Sequence, residues 1–563
     1  MQKTKILLLV ICIHFTSHIW CQNLSLKVTS QSNLKEHVID SLDYLKTHKD
    51  YNSLISEIDT IQKKLYKIGY FENLYETTKI NDSTYQAKFQ LKKKYRYIHI
   101  YYDKNLVAPS ILNYVSKQVN DSFFILPVNK IESALHIINS KLAENGYPFS
   151  KLHLTNIRSD NETNLKADLV INDTTEKRVI SAIKIKGYEK FPESFLRYYL
   201  KIKPNQPFNL SLIKSKTEQL NNLRFANQIK TPEVLFTKDS TNLYMYIEKS
   251  KSNIFDGFLG FGTNEATNKI DLNGYLNLNL TNNLNYGESF SLLYKSTQNQ
   301  QKKFEINVTL PYLLKTPIGV EFQLHIFKQD STFTTVNQAA KLHYQINTQH
   351  NIFTGIKTTE SNNLLNLNTT ANFEDYKSNF ITFGYEFTKP QVHSLLFPIN
   401  SDILIETGFG QRKHLDTTEK QTLISFDAFK IINLNRKNSI YTRLVGANLI
   451  SNTYFENELS RFGGINSIRG FNENSLLATS YALINSEYRL QLSNTIYIHS
   501  IIDVGYLENK ITKTNKKLTG FGFGFGILSN AGLFKLNYAN GRSQGQVFKF
   551  SNSQVHISLT SNF

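Results

Sequence analysis

In the 563-residue chain, the stretch Phe462-Gly463-Gly464-Ile465-Asn466-Ser467-Ile468-Arg469-Gly470-Phe471 sets one arginine among glycines in a long loop. The segment after it carries Asn485, Glu487 and Arg489 at alternate positions. The chemistry open to this pattern is ion pairing, because a guanidinium held away from bulk water without a carboxylate partner is prohibitively costly. Glu487, and Asp503 one segment later, are the carboxylates that could answer Arg469. The opposite phase of their segments is Ile484, Ser486, Tyr488 and Leu490 in one, and Ile496, Ile498, Ser500, Ile502 and Val504 in the other. Both acids should therefore point to the same side of a sheet.

Other motifs lack the context their chemistry needs. Gly541-Arg542-Ser543-Gln544-Gly545 has the spacing of a hydrolase nucleophile elbow, but that elbow requires a following helix, and Val547-x-Lys549 reads as the start of another strand. Ser543 is expected in a hairpin turn. Gly520, Gly522, Gly524 and Gly526 alternate with Phe521, Phe523 and Phe525 and lack the spacing of a dinucleotide loop. They leave one sheet face without side chains, which either makes room for an inserted loop or lets the strand bend and pack closely. No Walker sequence and no HExxH occurs, and the pair His14 and His18 lies in a segment expected to be removed. The expectation is a protein that is not an enzyme and has no cofactor and no metal.

The elements that must position Arg469 belong to an exported chain. Lys3 and Lys5 precede an apolar run from Ile6 to Ile13, the build of a secretory signal peptide over 1–21, with cleavage after Cys21. Cys12 and Cys21 are the only cysteines, so the mature chain would have no disulfides. The 64 Lys+Arg against 46 Asp+Glu give +18, but the basic residues are scattered through turns and polar strand faces, so no nucleic-acid partner is expected. After the signal no run of 18 apolar residues appears, which excludes a helical membrane protein but not a barrel.

Residues 24–250 repeat one pattern three times. In the first copy Leu54, Ile58, Ile61, Leu65 and Ile68 stripe one helix face, and Gly69 supplies a C-terminal cap. The second copy repeats this with Ile131, Leu135, Ile138 and Leu142, with Asn129 as N-cap and Gly146-Tyr147 at the exit. The third runs from Val179 through a helix around Leu212 to Leu223 and leaves without a glycine. The closing strands end near 91, 171 and 247, a period that implies small domains in series. Each copy reads strand, helix, helix, strand, strand. The βααββ pattern resembles the polypeptide-transport-associated (POTRA) repeat, with copies at 24–92, 93–174 and 175–250, and this resemblance implies sheet edges offered to extended client segments.

From 254 onward helical periodicity disappears and short alternating segments such as Leu276-x-Leu278-x-Leu280 take over, the signature of a transmembrane β-barrel. At roughly 19 residues per strand and connection, 254–563 suits about 16 antiparallel strands. The chain ends Val555-x-Ile557-x-Leu559-x-Ser561-x-Phe563, which resembles the C-terminal strand signal of outer-membrane barrels. Counting loops backwards from Phe563 puts the longer ones on the extracellular side and the Arg469 loop before the fifth strand from the end.

These features together resemble the BamA/TamA superfamily over 24–563. Ile468-Arg469-Gly470-Phe471 looks like its loop motif, Ser486-Glu487-Tyr488-Arg489 like its following-strand motif, and Ile502-Asp503-Val504-Gly505 like the next. The resemblance implies that the loop folds into the lumen and that Arg469 docks on Glu487 or Asp503. It also implies an outer-membrane factor that receives unfolded β-rich clients in the periplasm and inserts or translocates them. Its partners would be outer-membrane lipid, those clients and periplasm-spanning or other accessory assembly proteins, with the barrel opening between its first and last strands, near 254–262 and 553–563. A dedicated exporter of one large secreted protein is the alternative within the superfamily, and a passive porin or receptor the alternative outside it.

Overall fold

The computed structural model describes residues 23–172, 176–264, 269–296, 301–330, 332–365, 373–391, 394–529, 532–547, 549–550 and 553–560. The signal-peptide segment 1–21, Phe563 and the Leu559 side chain lie outside the described residues. The chain divides into two compact units. One runs up to Val179 and includes Pro207–Leu212; the other comprises Ile180–Gln206 and the chain from Ile213.

The first unit holds two sheets, each built the same way. Leu24–Ser30 pairs in parallel with Thr84–Gln90, and Tyr97–Tyr101 pairs in parallel with Asn164–Asn172. The helix Tyr51–Lys67 buries Leu54, Ile58, Ile61 and Leu65 against the first sheet, and Ile131–Glu144 buries Ala134, Ile138 and Leu142 against the second. Gly69 (φ 104°) and Gly146 (φ 100°) end these helices in the left-handed region, and Tyr70 and Tyr147 return their N–H groups to Leu65 and Leu142. Each glycine carbonyl then accepts an N–H from the chain leaving its sheet, Tyr95 for Gly69 at 2.9 Å and Arg178 for Gly146 at 2.8 Å. One capping turn thus also fastens the exit of each repeat.

Two local expectations need correction. Both sheets gain an edge strand between the helices, Thr47–His48 in the first and Phe123–Pro127 in the second, giving four strands each. Asn129 is not an N-cap: it sits in a 3-10 turn, Val128–Lys130, and the α-helix begins at Ile131 without a side-chain cap. The third sheet has the plain order, with Ala182–Gly187 parallel to Thr241–Lys249 and Ala226–Phe236 outside.

The second unit holds this third sheet and, among the described residues, an antiparallel sheet of sixteen sequential strands, from Ile254–Asn264 to Ser553–Thr560. Ile484, Ile502, Val504, Phe521 and Phe523 are exposed on its outer face, while Asn485, Glu487, Arg489, His499 and Asp503 are buried within. The outer side chains need lipid and the inner ones need partners. The chain enters from the third sheet, whose segment Phe195–Tyr199 packs on the turns at that end: the Phe195 and Tyr312 rings meet at 4.9 Å, Tyr198 Oη donates to Lys315 O at 2.6 Å, and Lys201 Nζ donates to Ile346 O at 2.7 Å. The fifteenth strand, Gly532–Ser543, ends at Ser543, and the sixteenth starts only at Ser553, so Val547 does not open a strand.

Candidate functional site: a loop docked in the barrel

The eleventh strand, Asn438–Ile450, and the twelfth, Ser480–Gln491, are joined by the long connection 451–479. Its stem pairs Ser460–Phe462 with Leu476–Ala478, and its tip turns back on three glycines with positive φ, Gly463, Gly464 and Gly470. The stem packs inside the barrel: Phe462 stacks on Tyr481 at 4.3 Å between ring centroids and joins Ile468, Leu483, Leu507 and Leu518 in one apolar cluster.

Each residue of the tip motif has a separate task. Ile468 is fully buried in that cluster. Arg469, 4% exposed, donates from Nε to Asp503 Oδ2 at 2.8 Å, from Nη2 to Asp503 Oδ1 at 2.5 Å, and from Nη1 to Glu487 Oε1. Its backbone N–H also reaches Asp503 Oδ2 at 2.9 Å. Gly470, at φ 86°, lies backbone to backbone on Gly541 of the fifteenth strand and donates to His556 Nε2 of the sixteenth at 3.1 Å. Phe471 lies over Gly541 and completes the cluster.

The wall is shaped to admit this. Asp503 stands on the thirteenth strand, Ile496–Asn509, with Gly520 of the fourteenth, Thr514–Ser529, directly opposite. A side chain at Gly520 would strike the Arg469 carbonyl, so here the glycine makes room for the loop. At Gly526 a side chain would strike the Tyr497 ring, and at Gly522 the Tyr538 carbonyl, so these two serve close packing of the wall itself. Both readings of the glycine run hold, at different positions.

Two further arginines fasten the loop and carry no local sequence signal. Arg412 on the ninth strand, Ile399–His414, is 3% exposed and reaches the loop stem. It bonds Glu458, the Thr453 carbonyl at 3.2 Å, Thr453 Oγ1 at 2.6 Å and Glu419 at 2.6 Å, and its guanidinium lies 4.0 Å over the Phe455 ring. Arg443 forks onto Asp427 at 2.7 and 2.5 Å and donates to Asn466 O at 2.7 Å. Of the terminal-strand residues, Val555 and Ile557 are exposed on the outer face. Ser543 ends a strand and is followed directly by a turn at Gln544 and Gly545, and no group of three or more metal-ligating side chains occurs among the described residues.

A family model described as "Omp85 superfamily domain" matches residues 273–555. The chain belongs to the Omp85 superfamily. A second model, "POTRA: Surface antigen variable number repeat", matches 179–250. CdiB from Escherichia coli superposes with a TM-score of 0.53 at 13% identity, over 89% of this chain and 97% of that one. BamA from Haemophilus ducreyi lacking POTRA domains 1-3 gives 0.47 at 14% identity, over 76% and 92%. Comparison with curated proteins gave no match. This Omp85 barrel lies in the outer membrane with its POTRA sheet on the periplasmic side. It shares the superfamily's general work, insertion or translocation of polypeptide at that membrane, and the superfamily's members are transport and assembly factors. The end where the third sheet docks is accordingly periplasmic, and the connection 451–479 is extracellular.

Proposed function

We propose that this chain is an assembly factor. On this reading the repeats at 24–92, 93–174 and 175–250 receive β-rich client polypeptide in the periplasm, and the barrel inserts it into the outer membrane at the junction of the first and sixteenth strands. Val555, Ile557, Leu559 and Phe563 form the strand signal by which the barrel is itself assembled. No cofactor or catalytic residue enters this reading, and accessory periplasmic proteins deliver the clients.

The observation that carries the proposal is the loop tip. Arg469, Glu487 and Asp503 hold it inside the lumen, and Gly470 extends the attachment to His556 on the strand that borders the junction. A lumen occupied by an ion-paired loop is a poor solute channel, which argues against a passive porin. Contact with the sixteenth strand gives the loop a means of steadying the junction while the neighbouring edge exchanges partners.

The test is reconstitution of the full-length protein in liposomes with a urea-unfolded outer-membrane barrel as client, together with cysteine pairs that bridge 254–257 and 553–558. Faster client folding, stopped by the bridge and restored by reductant, is the expected result. Unchanged client folding, with a secreted β-rich chain passing into the liposome instead, would identify an exporter.

A further inference from the structure

Turns at the periplasmic end of a barrel are normally short, yet the turn between the eighth strand, Tyr376–Pro390, and the ninth spans eight residues, 391–398. Two other long turns at that end, 282–288 and 311–317, are occupied by the third sheet: Tyr188 Oη donates to Asn285 at 2.7 Å, and Phe195 packs on Tyr312. The described part of this third turn, 394–398, instead packs its apolar side chains on the inner wall. Its base is closed by Gln391 N–H donating to Pro398 O at 2.8 Å, and by Asn400 and Asn433 each donating to Gln391 Oε1 at 3.0 Å. From this base Leu396 is buried with Tyr497 and Leu533, and the Phe397 ring meets the Tyr497 ring edge to face at 4.9 Å.

Phe397 also covers Arg489. The guanidinium lies 4.6 Å over Phe397 and 4.0 Å over Tyr441, in contact with both rings. In that orientation both Nε and Nη2 point at Glu487 Oε2, each at 2.7 Å, while the other oxygen of Glu487 holds Arg469. Three successive inward residues of the twelfth strand therefore meet different elements. Asn485 donates to the loop carbonyl of Ser467 at 2.7 Å, Glu487 takes the loop arginine, and Arg489 takes the periplasmic turn.

We propose that Phe397 is a positioning residue for the extracellular loop, acting through Arg489 and Glu487, so that whatever displaces this turn from the periplasmic side loosens Arg469. The ring fixes the guanidinium plane, the guanidinium fixes the Glu487 carboxylate, and that carboxylate with Asp503 fixes the loop. Leu395, two residues before Phe397, is exposed and gives an apolar client segment a handle on the turn. The inference rests on the docked loop being the working state, but its test needs no client and so stands or falls apart from insertion activity.

The test is deuterium uptake by peptides covering 463–475, measured on the full-length protein in nanodiscs. Phe397→Ala should speed exchange in that segment about tenfold, the scale of a desolvated cation–π contact, and leave the fifth to seventh strands unchanged. Phe397→Tyr should restore protection. Phe397→Leu, which keeps apolar bulk but has no ring face, should behave like alanine. In an Arg489→Ala background, Phe397→Ala should add nothing. Unchanged exchange at 463–475, protection restored equally by leucine, or full additivity with Arg489→Ala would overturn the proposal. A uniform rise over the whole barrel would do the same, since it would make Phe397 a general packing residue.

Discussion

Asp503 grips Arg469 three times, by Nε and Nη2 on its two oxygens and by the arginine's own backbone N–H. Side chain and backbone are thus fixed by one carboxylate, a geometry that a lysine ammonium cannot reproduce. Arg469→Ala leaves Asp503 buried without its cation, at a cost of about 3 to 5 kcal/mol for a fully buried pair and less where lumen water reaches it. Arg469→Lys should recover less than half of this. Both variants should expose 463–475 to protease added outside intact cells. A cleavage pattern identical to that of the parent would show that the ion pairs do not hold the loop.

Gly470 and Gly541 touch through their backbones, and Gly470 is also in the left-handed region. Gly541→Val should push the loop off the fifteenth strand and break the Gly470 bond to His556 without touching an ion pair. The expected outcome is protease sensitivity of the tip with the Arg412 stem still protected. Protection of both would place the close contact outside the docking energy.

Arg412 holds the base of the loop as Arg469 holds its tip. Removing it would take from Glu458 and Glu419 the guanidinium they share, so Arg412→Ala should cost about 3 kcal/mol. Glu458→Gln, which retains hydrogen bonding, should cost less. Hydrogen exchange in 453–460 reads this directly, and equal protection in parent and Arg412→Ala would refute it.

The joint between the third sheet and the barrel rests on aromatic packing. Phe195 meets Phe225 at 5.2 Å and Tyr312 at 4.9 Å, so Phe195→Ala should cost about 3 to 5 kcal/mol and sensitise 249–253 to protease. Burial pushes the neighbouring Tyr199 hydroxyl up to about 12. Because this folded value exceeds the ordinary one of about 10, the stability is complete below about pH 10 and lost as pH rises towards 12, by about 2 to 3 kcal/mol. Tyr199→Phe should remove that part of the alkaline loss, seen as a higher pH midpoint for exchange in 195–222. An unmoved midpoint would mean that Tyr199 ionisation does not control the joint.

What could be read from the sequence was whatever repeats along the chain. Side-chain parity gives the face of a strand, which is why Glu487 and Asp503 could be set on the side opposite Ile502 and Val504. The stripe of Leu54 to Leu65 and the Gly69 and Gly146 caps are equally local. Arg412, Arg443, His556 and Phe397 could not be found this way: the contacts that give them their roles, to Glu458, Asn466, Gly470 and Arg489, span 23 to 92 residues, and parity says nothing about how deep a loop or turn reaches. The edge strand Thr47–His48 is too short to show alternation. Asn129 misled because a 3-10 turn uses the same residue types as an N-cap.

The central claim is that this barrel assembles other outer-membrane proteins. It is tested most directly by comparing the outer-membrane proteome of a strain depleted of this protein with that of its parent. Loss of several unrelated barrel or surface proteins is the predicted result. Loss of a single large secreted protein, with the barrels intact, would contradict it and identify a dedicated exporter.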